Sequence, residues 1–411
     1  MEQENRDERR NFIGGVIHGT FLRSSSRLAD IDLILPAFVS TVTGSKLLIA
    51  LLPSIYFSTG RLPQVLFSRY VEPKPRKKPY LYLAILTRAS VWFLLGFILM
   101  WRGVGNPNLF LSLLFLFVLI YSLAGSLGGV ALTDIIGKAI SSENRGKFYA
   151  ARQITGSLLA FGTGFLVKYI LGENFSFDFP RNYATLFLLS GAALLIGVLG
   201  FYAIKEPKSE PKPKVPIRSY FSNVISIVRE DRKLRSFLIT RILAGFHIMI
   251  IPYYIVFFRE VAGVPASFIG IYLIARIVGG ALSNFLWGRK ADQNSQGVIV
   301  ACLGIAAVTP VSAILLTDLP PVFNSITFIL AGSAINARLV GFNTQLLDLA
   351  PEDMRSTYSG IRGTTIALTA PLPFLAGGLI ELVSFRFTFS LVSALMFLGL
   401  LFNIWEYRRR K

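Results

Sequence analysis

Arg23 and Arg27 lie one helical turn apart in the stretch LRSSSRLADID, residues 22–32, between the apolar runs NFIGGVIHGTF (11–21) and LILPAFV (33–39). At about 100° per residue Thr20, Arg23, Ser26, Arg27 and Asp30 share one face of a helix, while Asp32 points away. An ion carried that far into an apolar run is costly unless it meets water or a partner. Such a stripe therefore turns from lipid toward a polar interior. Guanidinium groups there can grip a carboxylate or phosphate ester, which makes a small anionic solute the natural cargo of the face. The competing reading is structural: Arg27 pairs with Asp30 one turn away, and the other arginines bond backbone carbonyls or neutral polar groups.

Further polar side chains interrupt other apolar runs: Arg61, His247, Arg276, Asn336 and Arg338, with Asn284 deeper along the run that holds Arg276. Arg88 reads as structural, and Arg241 lies near enough to the end of its run to snorkel to the surface. His18 and His247 titrate near neutrality when unperturbed, yet a satisfied structural hydrogen bond is the better expectation for an isolated membrane histidine. Asp30 is the nearest carboxylate for a coupling proton or sodium ion, and Asp32 and Asp134 are further counter-charges.

The elements that must position these residues are membrane helices. Of the 411 residues 53% are hydrophobic and only 16% charged, against about 25% charged in soluble domains. Windows of about 20 apolar residues place twelve spans near 11–40, 45–69, 79–101, 108–137, 147–171, 182–204, 235–259, 266–288, 297–317, 321–347, 355–382 and 385–406, the first bent near Pro36. No signal peptide is expected at the N-terminus, because MEQENRDERR mixes charges and no small-residue cleavage site follows.

Most of the 42 basic residues fall in 1–10, 69–78, 138–152, 205–235, 289–290, 355–362 and 408–411, whereas the alternate loops hold only Lys46, Arg102, Lys168, Arg181, Arg259 and Arg386. By the positive-inside rule both termini are expected to be cytoplasmic, and the expected location is the plasma membrane. The net charge of +19 is then topological, and no nucleic-acid partner is implied. Residues 205–234 divide six spans (11–204) from six (235–407). Their first part is a Pro/Lys/Glu linker, and Ile217, Phe221, Val224, Ile225 and Val228 fit a short helix on the inner membrane surface.

The two halves repeat. LIALLPSIYFSTGRLPQVLFSRYVE (48–72) aligns with FIGIYLIARIVGGALSNFLWGRKAD (268–292), matching Gly60 to Gly280, Arg69 to Arg289 and Glu72 to Asp292. ENRGKFYAAR (143–152) aligns with DMRSTYSGIR (353–362), matching Arg145 to Arg355 and Arg152 to Arg362. Two six-span halves of parallel orientation form a known transporter architecture.

Over nearly its whole length the chain resembles the major facilitator superfamily. GRKADQNSQG (288–297) is similar to the signature between that family's spans eight and nine, keeping Gly288 and Asp292 but not the trailing basic cluster. SRYVEPKPRKKP (68–79) replaces the glycine with Ser68 and the aspartate with Glu72, while Arg76, Lys77 and Lys78 supply its basic end. APEDMRSTYSGIRGT (350–364) also looks like the family's loop between spans ten and eleven.

The resemblance implies two pseudo-symmetric all-α bundles around a cavity lined by spans one, two, four, five, seven, eight, ten and eleven. Arg23, Arg27, Arg61, His247, Arg276, Asn336 and Arg338 lie on that set. It also implies a cytoplasmic latch, with Glu72 meeting Arg145 or Arg152 and Asp292 meeting Arg355 or Arg362. The family's span-five antiporter motif carries a proline that GSLLAFGTG (156–164) lacks.

The function so implied is secondary-active passage of a small solute by alternating access. The alternatives are efflux of amphipathic compounds, with Tyr121, Tyr253, Tyr254 and Tyr272 lining the cavity, or a non-transporting membrane receptor or assembly factor. There is no Walker loop, catalytic constellation or Cys/His metal cluster, so no enzyme, cofactor or metal is expected. The single cysteine, Cys302, cannot form an internal disulfide.

Overall fold

The computed structural model describes residues 2–71, 73–208, 227–351, 358, 361–363, 365 and 369–410. Among them the chain is helical, with no strand. In chain order the helices are α1 (Glu2–Leu28), α2 (Ile34–Val42), α3 (Lys46–Thr59), α4 (Gln64–Val71), α5 (Lys78–Arg102), α6 (Pro107–Ala139), α7 (Ser142–Ile170) and α8 (Arg181–Tyr202). They continue with α9 (Arg232–Glu260), α10 (Phe268–Ala291), α11 (Gln293–Leu315), α12 (Ser325–Leu349), α13 (Leu372–Leu382) and α14 (Phe385–Arg410).

Eight of the described helices are long and apolar enough to cross a membrane: α5, α6, α8, α9, α10, α11, α12 and α14. The remaining spans are broken or polar, and all of them were expected to face the cavity. Span one is α1 plus α2, span two is α3 plus α4, span five is α7, and α13 ends span eleven.

Span one breaks at Asp30, not at Pro36. The Asp30 carbonyl accepts from the amides of Ile34 and Leu35, both at 3.0 Å, and its carboxylate accepts from the amides of Asp32 at 3.0 Å and Leu33 at 3.1 Å. That set of bonds satisfies backbone groups freed by the break, which lipid could not do. Pro36 instead sits in the first turn of α2, where a missing N–H costs nothing.

Span two breaks between Gly60 and Pro63, so Arg61 occupies an exposed turn instead of the middle of a helix. The expected loop at 289–297 is reduced to a kink. Asn294 has φ −160° and ψ 88°, and its Oδ1 accepts from the Gly297 amide at 3.0 Å. Its side chain thus caps α11 without an intervening loop.

The chain forms two compact units, Met1–Thr43 with Ile55–Lys214, and Gly44–Ser54 with Val215–Lys411. The first turns of α3 belong to the second unit. In the first unit α1 packs on α7 and α8, and α5 on α6 and α8. In the second unit α10 packs closely on α12: a methyl group at Gly332 would lie 2.1 Å from the Arg276 carbonyl oxygen, so only glycine permits the approach. Small residues at such seams let van der Waals contact drive association where lipid offers no hydrophobic contrast.

The end of α9 is buried in an aromatic cluster. Tyr253, Tyr254, Phe257 and Phe258 are fully buried, Tyr254 and Phe257 pack on Phe389, and Tyr272 stacks on Phe328 with centroids 4.4 Å apart. These tyrosines are packing residues of the second unit.

Candidate solute-binding site

The polar stripe of α1 faces α7 and α8 within the first unit. Thr20 shares a hydrogen bond with Thr155 at 2.6 Å, Ser24 with Thr163 at 2.8 Å, and Ser25 with Ser190 at 2.8 Å. Ser26 turns back to the Leu22 carbonyl at 2.8 Å. These bonds hold α1 in one rotational setting, and that setting aims its arginines.

Arg23 reaches α7. Its guanidinium donates to the Gln153 side-chain oxygen at 2.7 Å, to the Gln153 carbonyl at 3.2 Å and to the Ser157 hydroxyl at 2.9 Å. All three acceptors are neutral. Arg27 donates to Asp30 at 2.7 Å, and Asp30 is only 2% exposed. The Nε of Arg27 is buried without a partner.

Arg152 of α7 lies against Gly19, where a methyl group would come 1.9 Å from its Nε. Glycine at 19 thus creates the slot that Arg152 fills. Arg152 is close enough to Arg23, and Arg23 to Arg27, for their like charges to repel. His18 is buried beside the same group, within electrostatic range of Arg152 and Arg88 and edge-on to Phe201.

Arg88 belongs to this neighbourhood too, although the sequence marked it as mere scaffold. Its guanidinium lies 4.1 Å from the centroid of Tyr121 and donates to that hydroxyl. Tyr56 stacks nearby on Tyr121 and senses the charges of Arg88, Asp32 and Asp30. Arg61 stands apart, its guanidinium 5.9 Å from the Phe57 centroid. Asp134 is no counter-charge for the stripe, since it pairs with Lys138 and with Lys77 at 3.5 Å.

In the second unit Arg276 and His247 are buried, at 6% and 2% exposure. Arg338 lies within electrostatic range of His247 and Cys302, and Arg241 within range of Cys302. Asn336 donates to the Gly280 carbonyl at 2.7 Å, tying α12 to α10. Structure therefore joins His247 with Arg338, and places Arg276 and Asn336 along the α10–α12 seam.

Of the proposed latch residues, Glu72 and Arg355 and the side chain of Asp292 lie outside the described residues, as does the amphipathic stretch 217–226. Arg145 donates to the carbonyls of Ile140 at 3.2 Å and Gly137 at 2.6 Å. Arg362 donates to the Asn343 side chain.

Sequence reasoning missed three clusters built on carboxylates. Beside Arg145, Glu8 accepts from the Ser141 hydroxyl at 2.6 Å and amide at 2.9 Å and from Asn144 at 3.2 Å, and these donors hold its carboxyl below the usual value. Glu206 accepts from the amides of Lys77 at 2.7 Å and Lys78 at 2.8 Å, capping α5.

In the second unit, Glu381 accepts from the Ser45 hydroxyl at 2.9 Å and the Lys46 and Leu47 amides at 2.5 and 3.2 Å, capping α3. The one available signal was a carboxylate near a span end. Its partner, hundreds of residues away, had none.

A family model described as Major Facilitator Superfamily matches residues 19–372. The chain belongs to that superfamily. Among solved structures it is similar to a POT family transporter in complex with a thioalcohol-conjugated peptide, at 10% identity and TM-score 0.72, covering 97% of this chain and 96% of that one. It is equally similar to the nucleoside transporter NupG, at 11% identity and TM-score 0.72, covering 97% and 99%. A bacterial homologue of the iron transporter ferroportin in an inward-facing state gives 14% identity and TM-score 0.70, covering 97% and 98%.

At such identities the likeness establishes the fold alone. Search of curated proteins finds no match. Family and fold make this superfamily member a multi-pass membrane protein of transporter type.

Proposed function

We propose that the chain is a secondary-active permease for a small organic anion, working by alternating access. The observation that carries this reading is the charge imbalance in the first unit. Arg23, Arg27, Arg88 and Arg152 surround the α1 stripe, and Asp30 is already committed to Arg27. Arg23 and Arg152 have no carboxylate partner among the described residues.

Two guanidinium groups held in like-charge proximity by neutral acceptors and a glycine slot are stabilised when an anion arrives. Asp30 is the coupling group in this scheme: a proton taken up on the oxygen that faces Arg27 releases that guanidinium toward the solute. Both termini are cytoplasmic, as the distribution of lysine and arginine favours. Latch pairs between Glu72 and Arg145 or Arg152, and between Asp292 and Arg355 or Arg362, hold the cytoplasmic side closed in the outward-facing state.

The test is thermal stabilisation of the detergent-purified protein by a panel of anionic, neutral and cationic metabolites, repeated with Arg23→Gln and Arg152→Gln. A bound solute raises stability by about 2.7 kcal/mol at a concentration 100 times its dissociation constant. Stabilisation by anions alone, lost in both variants, is the expected result. Stabilisation by neutral or cationic amphiphiles, unchanged in the variants, would instead make this an exporter of such compounds.

A further inference from the structure

One concavity among the described residues lies away from the α1 stripe, at the start of α5. It is an open groove of about 430 Å³ lined by Lys74, Pro75, Arg76, Pro79, Tyr80 and Lys208. Three of its six lining residues are cations, and among the described residues none of them has a carboxylate partner. Glu206, two residues before Lys208, accepts from the amides of Lys77 and Lys78 and lies 3.7 Å from the Lys138 ammonium. Pro75 and Pro79 stiffen the wall, because each fixes its own φ.

The depth of this concavity follows from its surroundings. α5 is long and apolar enough to cross a membrane and begins at Lys78, which puts the lining residues at the end of that apolar helix. Tyrosines ring the same level: Tyr70 is 58% and Tyr202 77% exposed, Tyr70 packs edge-on to Tyr80 with centroids 5.7 Å apart, and Lys74 lies 5.3 Å from the Tyr70 centroid. Lys78 sits 5.7 Å from the centroids of both Tyr82 and Tyr202.

Amphipathic rings gather where lipid headgroups meet hydrocarbon. Further along α4 and α5, exposed Leu66, Leu83 and Leu86 present the apolar surface that acyl chains require.

We infer that Lys74, Arg76 and Lys208 form a binding site for the phosphate of an anionic phospholipid headgroup in the leaflet that meets the start of α5. Arg76 offers a planar fork to the phosphate oxygens, and the two ammonium groups add point charges on either side. Acyl chains run down the leucine surface beyond the tyrosines. Because Lys208 follows α8 and Lys74 precedes α5, an occupied site fastens the first residues after α8 to the α4–α5 connection. This site is independent of which solute the protein carries.

The test uses the full-length protein in detergent, with phosphatidylglycerol, phosphatidylcholine or inorganic phosphate added, and reads the unfolding temperature and the lipid retained by native mass spectrometry. Phosphatidylglycerol should be retained and stabilising and phosphatidylcholine should not. Each cation removed by Lys74→Ala, Arg76→Ala or Lys208→Ala should weaken retention about fivefold, given roughly 1 kcal/mol per basic residue at a membrane surface. Lys208→Ala alone, on an exposed segment, reads that step should the triple variant, which carries all three substitutions, fold poorly.

Lys168→Ala and Arg181→Ala, at the opposite ends of their helices, serve as charge controls and should leave retention unchanged. Equal retention by the triple variant would overturn the site. Stabilisation by inorganic phosphate to the same extent would overturn the lipid assignment in favour of a soluble phosphate ligand.

Discussion

Lys46 and Glu260, 214 positions apart, form an ion pair in the second unit, with Nζ 2.7 Å from one carboxylate oxygen and 2.8 Å from the other. Lys46 is 9% exposed and also donates to the Gly44 carbonyl at 3.0 Å. Its own carbonyl accepts from the Tyr253 hydroxyl at 2.8 Å. With the Glu381 cap, these bonds anchor the first turn of α3 to α9 and α13. Glu260→Gln removes the negative charge and leaves a buried ammonium, so thermal unfolding should show a loss of about 1–3 kcal/mol. Lys46→Met together with Glu260→Gln should recover part of that loss, because no charge is then stranded.

A second cycle separates the arginine paired with a carboxylate from the one bonded to neutral groups. Arg27→Gln takes the guanidinium from the Asp30 carboxylate, which is 2% exposed and keeps its bonds from the Asp32 and Leu33 amides, and should destabilise by about 1–3 kcal/mol. Adding Asp30→Asn should restore a measurable fraction, giving a coupling energy of about 0.5–3 kcal/mol. Arg23→Gln loses bonds to neutral groups only and should cost about 0.5–1.5 kcal/mol. Equal losses from Arg23→Gln and Arg27→Gln would contradict this division of roles.

Two glycines on neighbouring helices give a packing test. Gly19→Ala drives a methyl group into Arg152 and should cost about 1–3 kcal/mol as the guanidinium is displaced. Gly162→Ala, whose added methyl meets nothing within 4 Å, should stay within about 0.5 kcal/mol of the parent. Unfolding midpoints of both variants in one detergent are sufficient to check the contrast.

Acid stability should carry the signature of Asp231. Burial alone would raise its carboxyl, but the Leu234 amide at 2.9 Å and the Tyr358 hydroxyl at 2.7 Å hold it below the ordinary value. A depressed folded-state pKa contributes stability that is fully present above the unfolded value, about 4, and is lost as pH falls through the folded value. Asp231→Ala should therefore destabilise by about 1 kcal/mol near neutrality and by less as the medium is acidified below pH 4. A cost that grows with acidification would have the wrong sign and refute the assignment.

Apolar run lengths, the polar stripe of α1 and the repeated motifs were legible from residues alone, because each is a local property: a helix needs about 20 apolar residues to cross, and a face is set by 100° per residue. The breaks in spans one and two were less legible. Pro36 drew attention, yet it is Asp30 that satisfies the freed amides and fixes the bend. The partner of each charge was beyond local inspection.

Arg23 meets Gln153 and Ser157, Lys46 meets Glu260, and Glu206 caps α5 at Lys77 and Lys78. The amino-acid sequence thus determined that this protein crosses a membrane on two related sets of helices and carries arginines into its interior. Tertiary structure decided which of those arginines are neutralised, because that depends on the rotation and depth at which helices distant in sequence pack together.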